Sequence, residues 1–408
     1  MFGAENGSIS NVSEQSNETD DDENEFDDIE ARDLHDGFDS LGEFLSDDLS
    51  LPKHRRCAAH TLNLVATTDL KKVPLWSYQK TCEKAFAKAE ALWKKQNRCT
   101  GVSTTISAAL GRKLPSPSAV RWNSSLDSYV VLVQMFEDEE KRRKLMKIMD
   151  ETPGLERFTL QEIEVIKEYV EVMKPVAIAL DCLQGEEYAY TGVLIPTIFG
   201  LMRDLSKMKD RTENPLKYMK PVVKKLLTSL QSNRRFGKVL CDKDLMLGTA
   251  FNPLFKLPYI NFIQPDIVDE IKQKMVDILK GFVDTNAGSS NGRAEADHPP
   301  KKPRFWRTEE TSSSGTNERI EMSLRIEVES WIDPLEELST LNIHMFPKLN
   351  RDAWVKAFIQ YNTAIPSSAA VERLFSIGSG VMSPKRTRLT SKNFEMLVFL
   401  KGNKELSC

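Results

Sequence analysis

The chain has 408 residues, 40% hydrophobic and 28% charged, with a formal charge of −4. That length exceeds one ordinary core and implies two or three folded units joined by linkers. No apolar run of about 18 residues is present to cross a membrane, the acidic first residues do not form a secretory signal, and six scattered cysteines (Cys57, Cys82, Cys99, Cys182, Cys241, Cys408) read as reduced thiols of a cytosolic or nuclear protein.

Residues 1–50 hold 17 acids against the single base Arg32, a local charge of −16, so residues 51–408 carry +12. Such a segment buries too little to offset its chain entropy and is expected to be disordered, with a short amphipathic helix near Phe38 to Leu49. It is either a solvated spacer or an acidic interaction segment. The basic remainder is compatible with weak, non-specific nucleic-acid contact.

Cys57 and His60 follow at i, i+3, a spacing that shares a helix face. Structural zinc needs four ligands and no second Cys/His pair stands at usable spacing, so a buried thiol and a satisfied histidine are expected, with no metal. Phe86, Ala89, Leu92 and Trp93 give helical spacing within Thr68 to Asn97. Pro115 to Ser125 is a loop leading into a further helix. There Trp122 is either a core anchor or a stacking platform for a base, with Arg121 on phosphate.

Residues 130–283 read as successive helices, from periods such as Ile163/Ile166/Val170/Met173, with breaks at Pro153-Gly154, Pro175, Gly185 and Asn214-Pro215. Asn252 before Pro253 suits an Asx turn. Residues 284–317 are linker-like. In them Lys301, Lys302 and Arg304 stand among prolines, which fits either a nuclear-import peptide or an ordinary solvated linker. A helix is expected from Glu318 to about Trp331.

In the last stretch Pro366 sets φ for a helix start, Ser367 or Ser368 can cap it, and Ala369, Ala370, Leu374 and Phe375 form a stripe that Gly378 and Gly380 should end. Glu372 lies inside that run, and must be paired with Arg373, face solvent, or be held for chemistry. A closing helix near Lys392 to Lys401 sets Phe394, Leu397, Val398 and Lys401 at i, i+3, i+4, i+7, with Phe399 and Leu400 adding apolar surface. Both helices can complete the monomer core or meet a second copy.

Ala370-Val-Glu-Arg-Leu-Phe-Ser-Ile-Gly378, with Lys385-Arg386-Thr-Arg388-Leu and the closing helix, resembles the C-terminal dimerisation region of hAT superfamily transposases and their domesticated relatives. Cys57 and His60 before Leu62-Asn63-Leu64, Arg121-Trp122-Asn123-Ser124, Leu247 to Lys256 (Asn252 where the family has aspartate) and Trp331-Ile-Asp-Pro resemble further family blocks.

The resemblance implies a mainly α chain: a disordered acidic segment (1–50), a ribonuclease-H-like remnant (51–130), an all-helical insertion (131–283), a disordered linker (284–317) and a dimerisation region (318–408). It implies that Glu372 descends from the last acid of a metal-dependent active site, that Cys57 and His60 support that site, that Trp122 stacks on a base with Arg121 beside it, and that Leu374, Phe375, Phe394, Leu397 and Val398 mediate dimerisation. Two-metal phosphoryl transfer needs several converging carboxylates, and the family's first two aspartates precede the Cys57 block, where this chain shows no strand-like segment. The expectation is an N-terminally incomplete, inactive, nuclear homodimer without a cofactor, Mg²⁺ entering only if the site were completed. The alternative is a transposase fragment or subunit that uses Glu372 as a catalytic acid.

Overall fold

A computed structural model of the chain describes residues 55–71, 73, 79–117, 122–185, 190–288, 313–333, 341–382 and 389–403. The acidic segment 1–50, Arg121, and Lys301, Lys302 and Arg304 lie outside the described residues, as does the side chain of Trp122. Helices are the dominant elements, in keeping with the 3.6-residue apolar periods, and no strand occurs among the described residues.

The longest helix makes a spine. Successive helices α1 (Ala58–Ala66), α2 (Thr68–Lys71), α3 (Gln79–Arg98), α4 (Thr100–Leu110), α5 (Trp122–Glu137) and α6 (Glu139–Glu151) lead to α7 (Leu160–Gln184), which α8 (Leu194–Asp210) and α9 (Lys220–Gln231) follow. Helices α1, α3, α5 and α8 all pack on α7. Covered on these sides, α7 buries Ile163, Val165, Ile166, Val172, Met173, Val176, Leu180 and Leu183. Its start is fixed by a capping box: Thr159 Oγ accepts from Glu162 N at 3.2 Å, and Glu162 Oε2 accepts from Thr159 N at 2.8 Å.

Pro175 was expected to break this helix, yet α7 runs through it. An internal proline costs about 3 kcal/mol, while each large apolar side chain buried contributes roughly 1.5–3 kcal/mol. Packing on several sides therefore outweighs the lost backbone bond.

Glu168, only 5% exposed, faces the turn before α9. Its Oε1 accepts from Lys217 N at 2.7 Å, and its Oε2 accepts from Tyr218 N at 2.8 Å and Met219 N at 2.9 Å. A carboxylate on one helix thus satisfies the backbone donors that open another, where the helix dipole favours negative charge.

A second buried helix, α10 (Lys243–Phe251), organises the remainder. It meets the 3₁₀ turn Thr191–Val193, α11 (Lys256–Ile263), α12 (Val268–Gly288) and α14 (Arg351–Asn362), while α13 (Ser313–Glu329) packs on α12. Helices α12 and α13 both reach into the span read as linker from sequence. Asn252 closes α10 as an Asx turn, as expected, its Oδ1 accepting from Leu254 N at 3.0 Å.

Trp331 Nε1 donates to Ala250 O at 2.7 Å, and Lys256 Nζ sits 4.1 Å from the Trp331 ring centroid, a cation–π contact. Buried Glu327 accepts from Asn350 Nδ2 at 3.1 Å and Trp354 Nε1 at 3.0 Å, tying α13 to α14. The close approach of the Thr191–Val193 turn to α10 requires Gly192. A Cβ there would press on Gly248 O and lie 2.5 Å from Asn362 Oδ1. Asn362 bridges the two backbones, accepting from Gly192 N at 2.9 Å and donating to Gly248 O at 3.0 Å.

Candidate functional site

The chain leaves α14 through Asn362 and enters α15 (Ala369–Val381), then returns in α16 (Ser391–Gly402) to form a packed helical pair. Thr191 Oγ1 donates to Ala364 O, and the first amide of α1, Ala58 N, donates to Pro366 O at 2.8 Å. The connection into α15 is therefore fastened to the Thr191–Val193 turn and to the start of α1.

Cys57 is the N-cap of α1, and its Sγ accepts from His60 N at 3.4 Å. The same sulfur accepts from Ser368 N, the N-cap amide of α15, at 3.3 Å. Two helix N-termini thus converge on one thiol. Burial raises the Cys57 thiol, but hydrogen bonds from the Ser368 hydroxyl and amide and the His60 amide, together with its contact to the Ser367 hydroxyl, outweigh it and hold the group below the usual thiol value. Ser368 Oγ lies 3.3 Å from Cys57 Sγ and 2.6 Å from Glu372 Oε1, and its one proton serves one acceptor at a time.

The structure therefore brings Cys57 and Glu372 to the start of α15, linked through Ser368. His60 contributes its backbone amide while its side chain is exposed. Glu372 is exposed in the first turn of α15 and accepts the Ser368 hydroxyl. Arg373 Nη1 donates to Gln184 O at 3.2 Å and anchors α15 to the end of α7. Ser367 Oγ accepts from Ala369 N at 3.1 Å.

Gly378 and Gly380 do not end α15, which continues to Val381. Gly378 instead admits the neighbouring helix: a Cβ there would lie 3.2 Å from Phe394 Cζ and 3.7 Å from Val398 Cγ2. Phe394, Leu397 and Val398 are half-buried, and Phe394 and Val398 face α15 within the same chain.

The outward surface of the pair is strongly apolar. Phe375 is 72% exposed and Phe399 65%, with Val371, Leu374, Met396 and Leu400 also exposed. Sequence reasoning missed Val371 and Met396, although Val371/Phe375 and Met396/Leu400 each stand at i, i+4 and so share a helix face. Among the described residues, no cluster of three or more His, Cys, Asp or Glu side chains is placed to hold a metal ion.

A helical chain ending in a two-helix pair with an uncovered apolar face is the class that these features define. Residues 353–403, spanning most of α14 and all of α15 and α16, match the sequence model of the hAT family C-terminal dimerisation region. In this region the chain is hAT transposase-like, as the Ala370 to Gly378 motif implied. No curated protein matches the sequence significantly.

Proposed function

We propose that this chain is the dimerisation module of a domesticated, catalytically inactive hAT transposase-like protein, acting in the nucleus as a DNA-associated regulator. The observation that carries the self-association reading is the exposed apolar face of α15 and α16, which lies inside the matched dimerisation region. Covering Phe375 and Phe399 by a second copy contributes roughly 1.5–3 kcal/mol for each ring removed fully from water. Symmetry-related use of the same face gives a two-fold dimer.

The inactive reading is supported by what Glu372 does: it accepts the Ser368 hydroxyl in the first turn of α15, where a carboxylate also favours the helix dipole. In this reading the ancestral acid of a ribonuclease-H-like site is retained as a helix-start residue beside Cys57. The DNA association is carried by Arg121 and Trp122, and nuclear import by Lys301, Lys302 and Arg304.

The test replaces Phe375 and Phe399 together by glutamate and measures mass by light scattering alongside far-ultraviolet circular dichroism. Monomers of unchanged helicity are expected. A variant that remains associated, or that loses its helical signal, would overturn the assignment of this face.

A further inference from the structure

Helix α13 is apolar on two opposite faces. Leu324 and Val328 stand at i, i+4 and are buried in the core. Met322 and Ile326, also at i, i+4, lie two positions before each of them, which at 3.6 residues per turn is the other side of the helix, and are 61% and 63% exposed. A helix apolar on both sides is ordinarily covered on both. Beside the outward face runs the turn before α14, whose Pro347, Lys348 and Leu349, the last 74% exposed, complete an open groove of about 600 Å³. Its two cations, Arg319 and Lys348, are exposed, and neither pairs with a carboxylate among the described residues. The acids of α13 are engaged elsewhere: Glu321 holds Lys280 at 2.8 Å and Arg325 at 2.9 Å, Glu329 holds Lys272 at 2.7 Å, and Glu327, at the base of the groove, is held by Asn350 and Trp354. Glu318, exposed beside Arg319, does not line the groove.

We propose that this groove docks an acidic amphipathic helix of a partner protein. Apolar anchors at i, i+4 on that helix cover Met322, Ile326 and Leu349, the helix-in-groove mode, and its carboxylates meet Arg319 and Lys348. Apolar area and charge together select this chemistry. A basic or neutral segment leaves both cations unmatched. A phosphate backbone offers nothing apolar to cover three large side chains, and no aromatic side chain lines the groove to stack on a base. A membrane takes up a protruding apolar face, whereas these side chains line a concave one. A second copy presenting α15 and α16 brings exposed Lys392 and Lys401 against Glu372 and Glu395, a face with no acidic excess. The groove lies outside the matched region 353–403, and the proposal does not depend on self-association.

The test is fluorescence anisotropy of the full chain with a labelled synthetic helix that carries leucine at i, i+4, i+7 and i+11 and glutamate elsewhere. Binding is expected, weakened about tenfold or more in Met322→Gln/Ile326→Gln, which removes the anchors' contact surface from an exposed face. Arg319→Gln/Lys348→Gln should weaken it by about two- to fivefold at low salt, a difference that fades as salt screens the exposed charges. Leu160→Gln, an equally exposed leucine outside the groove, should leave binding unchanged. Circular dichroism confirms that each variant is folded. Failure of the intact chain to bind, unchanged binding in Met322→Gln/Ile326→Gln, or equal binding of the same helix with lysine in place of glutamate would overturn the proposal. So would a fall in the mass of the chain itself in Met322→Gln/Ile326→Gln, since the groove would then hold a second copy.

Discussion

Replacing Glu168 by alanine removes the acceptor for three backbone donors at 2.7, 2.8 and 2.9 Å. Hydrogen bonds to a charged group are worth about 1.5–3 kcal/mol each, but three made to one carboxylate are not independent. Removing the buried carboxylate also relieves several kcal/mol of desolvation. A net loss of about 3 kcal/mol follows, which at about 2 °C per kcal/mol for a fold of this size is a Tm lower by about 6 °C. Glu168→Gln retains one carbonyl acceptor and turns an amide donor toward backbone N–H groups, so it should fall between. Thermal melting followed at 222 nm gives the Tm, and amide exchange at residues 217–219 should accelerate in step. A Glu168→Ala variant melting within about 1 °C of the parent would refute the idea that one carboxylate fixes the start of α9.

Gly192→Ala should destabilise by about 1–3 kcal/mol or more, because the added methyl meets the Gly248 backbone as well as the buried Asn362 side chain that bridges the two segments, whereas Gly200→Ala within α8 meets nothing within 4 Å and should stabilise by about 0.5–1 kcal/mol; chemical denaturation of the pair checks the contrast. Since the Cys57 thiol is held below its ordinary value of 9.0, its contribution is present above that value and is lost as pH falls through the lowered one. The Tm advantage of the intact chain over Cys57→Ser should therefore widen as pH rises from neutral, and a pH-independent difference would contradict the placement of the sulfur between two helix starts. Incubation with Mg²⁺ or Mn²⁺ and hairpin DNA should give no nicking, and nicking abolished by Glu372→Gln would reverse the inactive reading.

The helical class was legible because apolar residues recur at 3.6-residue spacing from Phe86 to Val398, and the Asn252 turn because its chemistry is local. Pro175 and Gly378 misled for one reason: both are local breakers whose outcome is set by distant neighbours. Pro175 lies in a helix packed by four others, and Gly378 lies where Phe394 needs room. Cys57 could be singled out from its motif, but not its contact with Ser368, 311 positions away in sequence. The capping by Glu168 across 49 to 51 positions was equally hidden, since a glutamate in a helical period reads as a solvated face until the partner turn is placed. At the terminal pair the apolar content of both helices was readable. Which residues face α15 and which face outward depended on where Gly378 lets Phe394 and Val398 settle.

The central claim is that the outward face of α15 and α16 is covered by a second copy. Sedimentation equilibrium of the intact chain at tens of micromolar tests it most directly. The mass of two chains is expected, falling to one in the Phe375→Glu/Phe399→Glu variant while helicity is retained. An intact chain that sediments as a monomer at that concentration would contradict it.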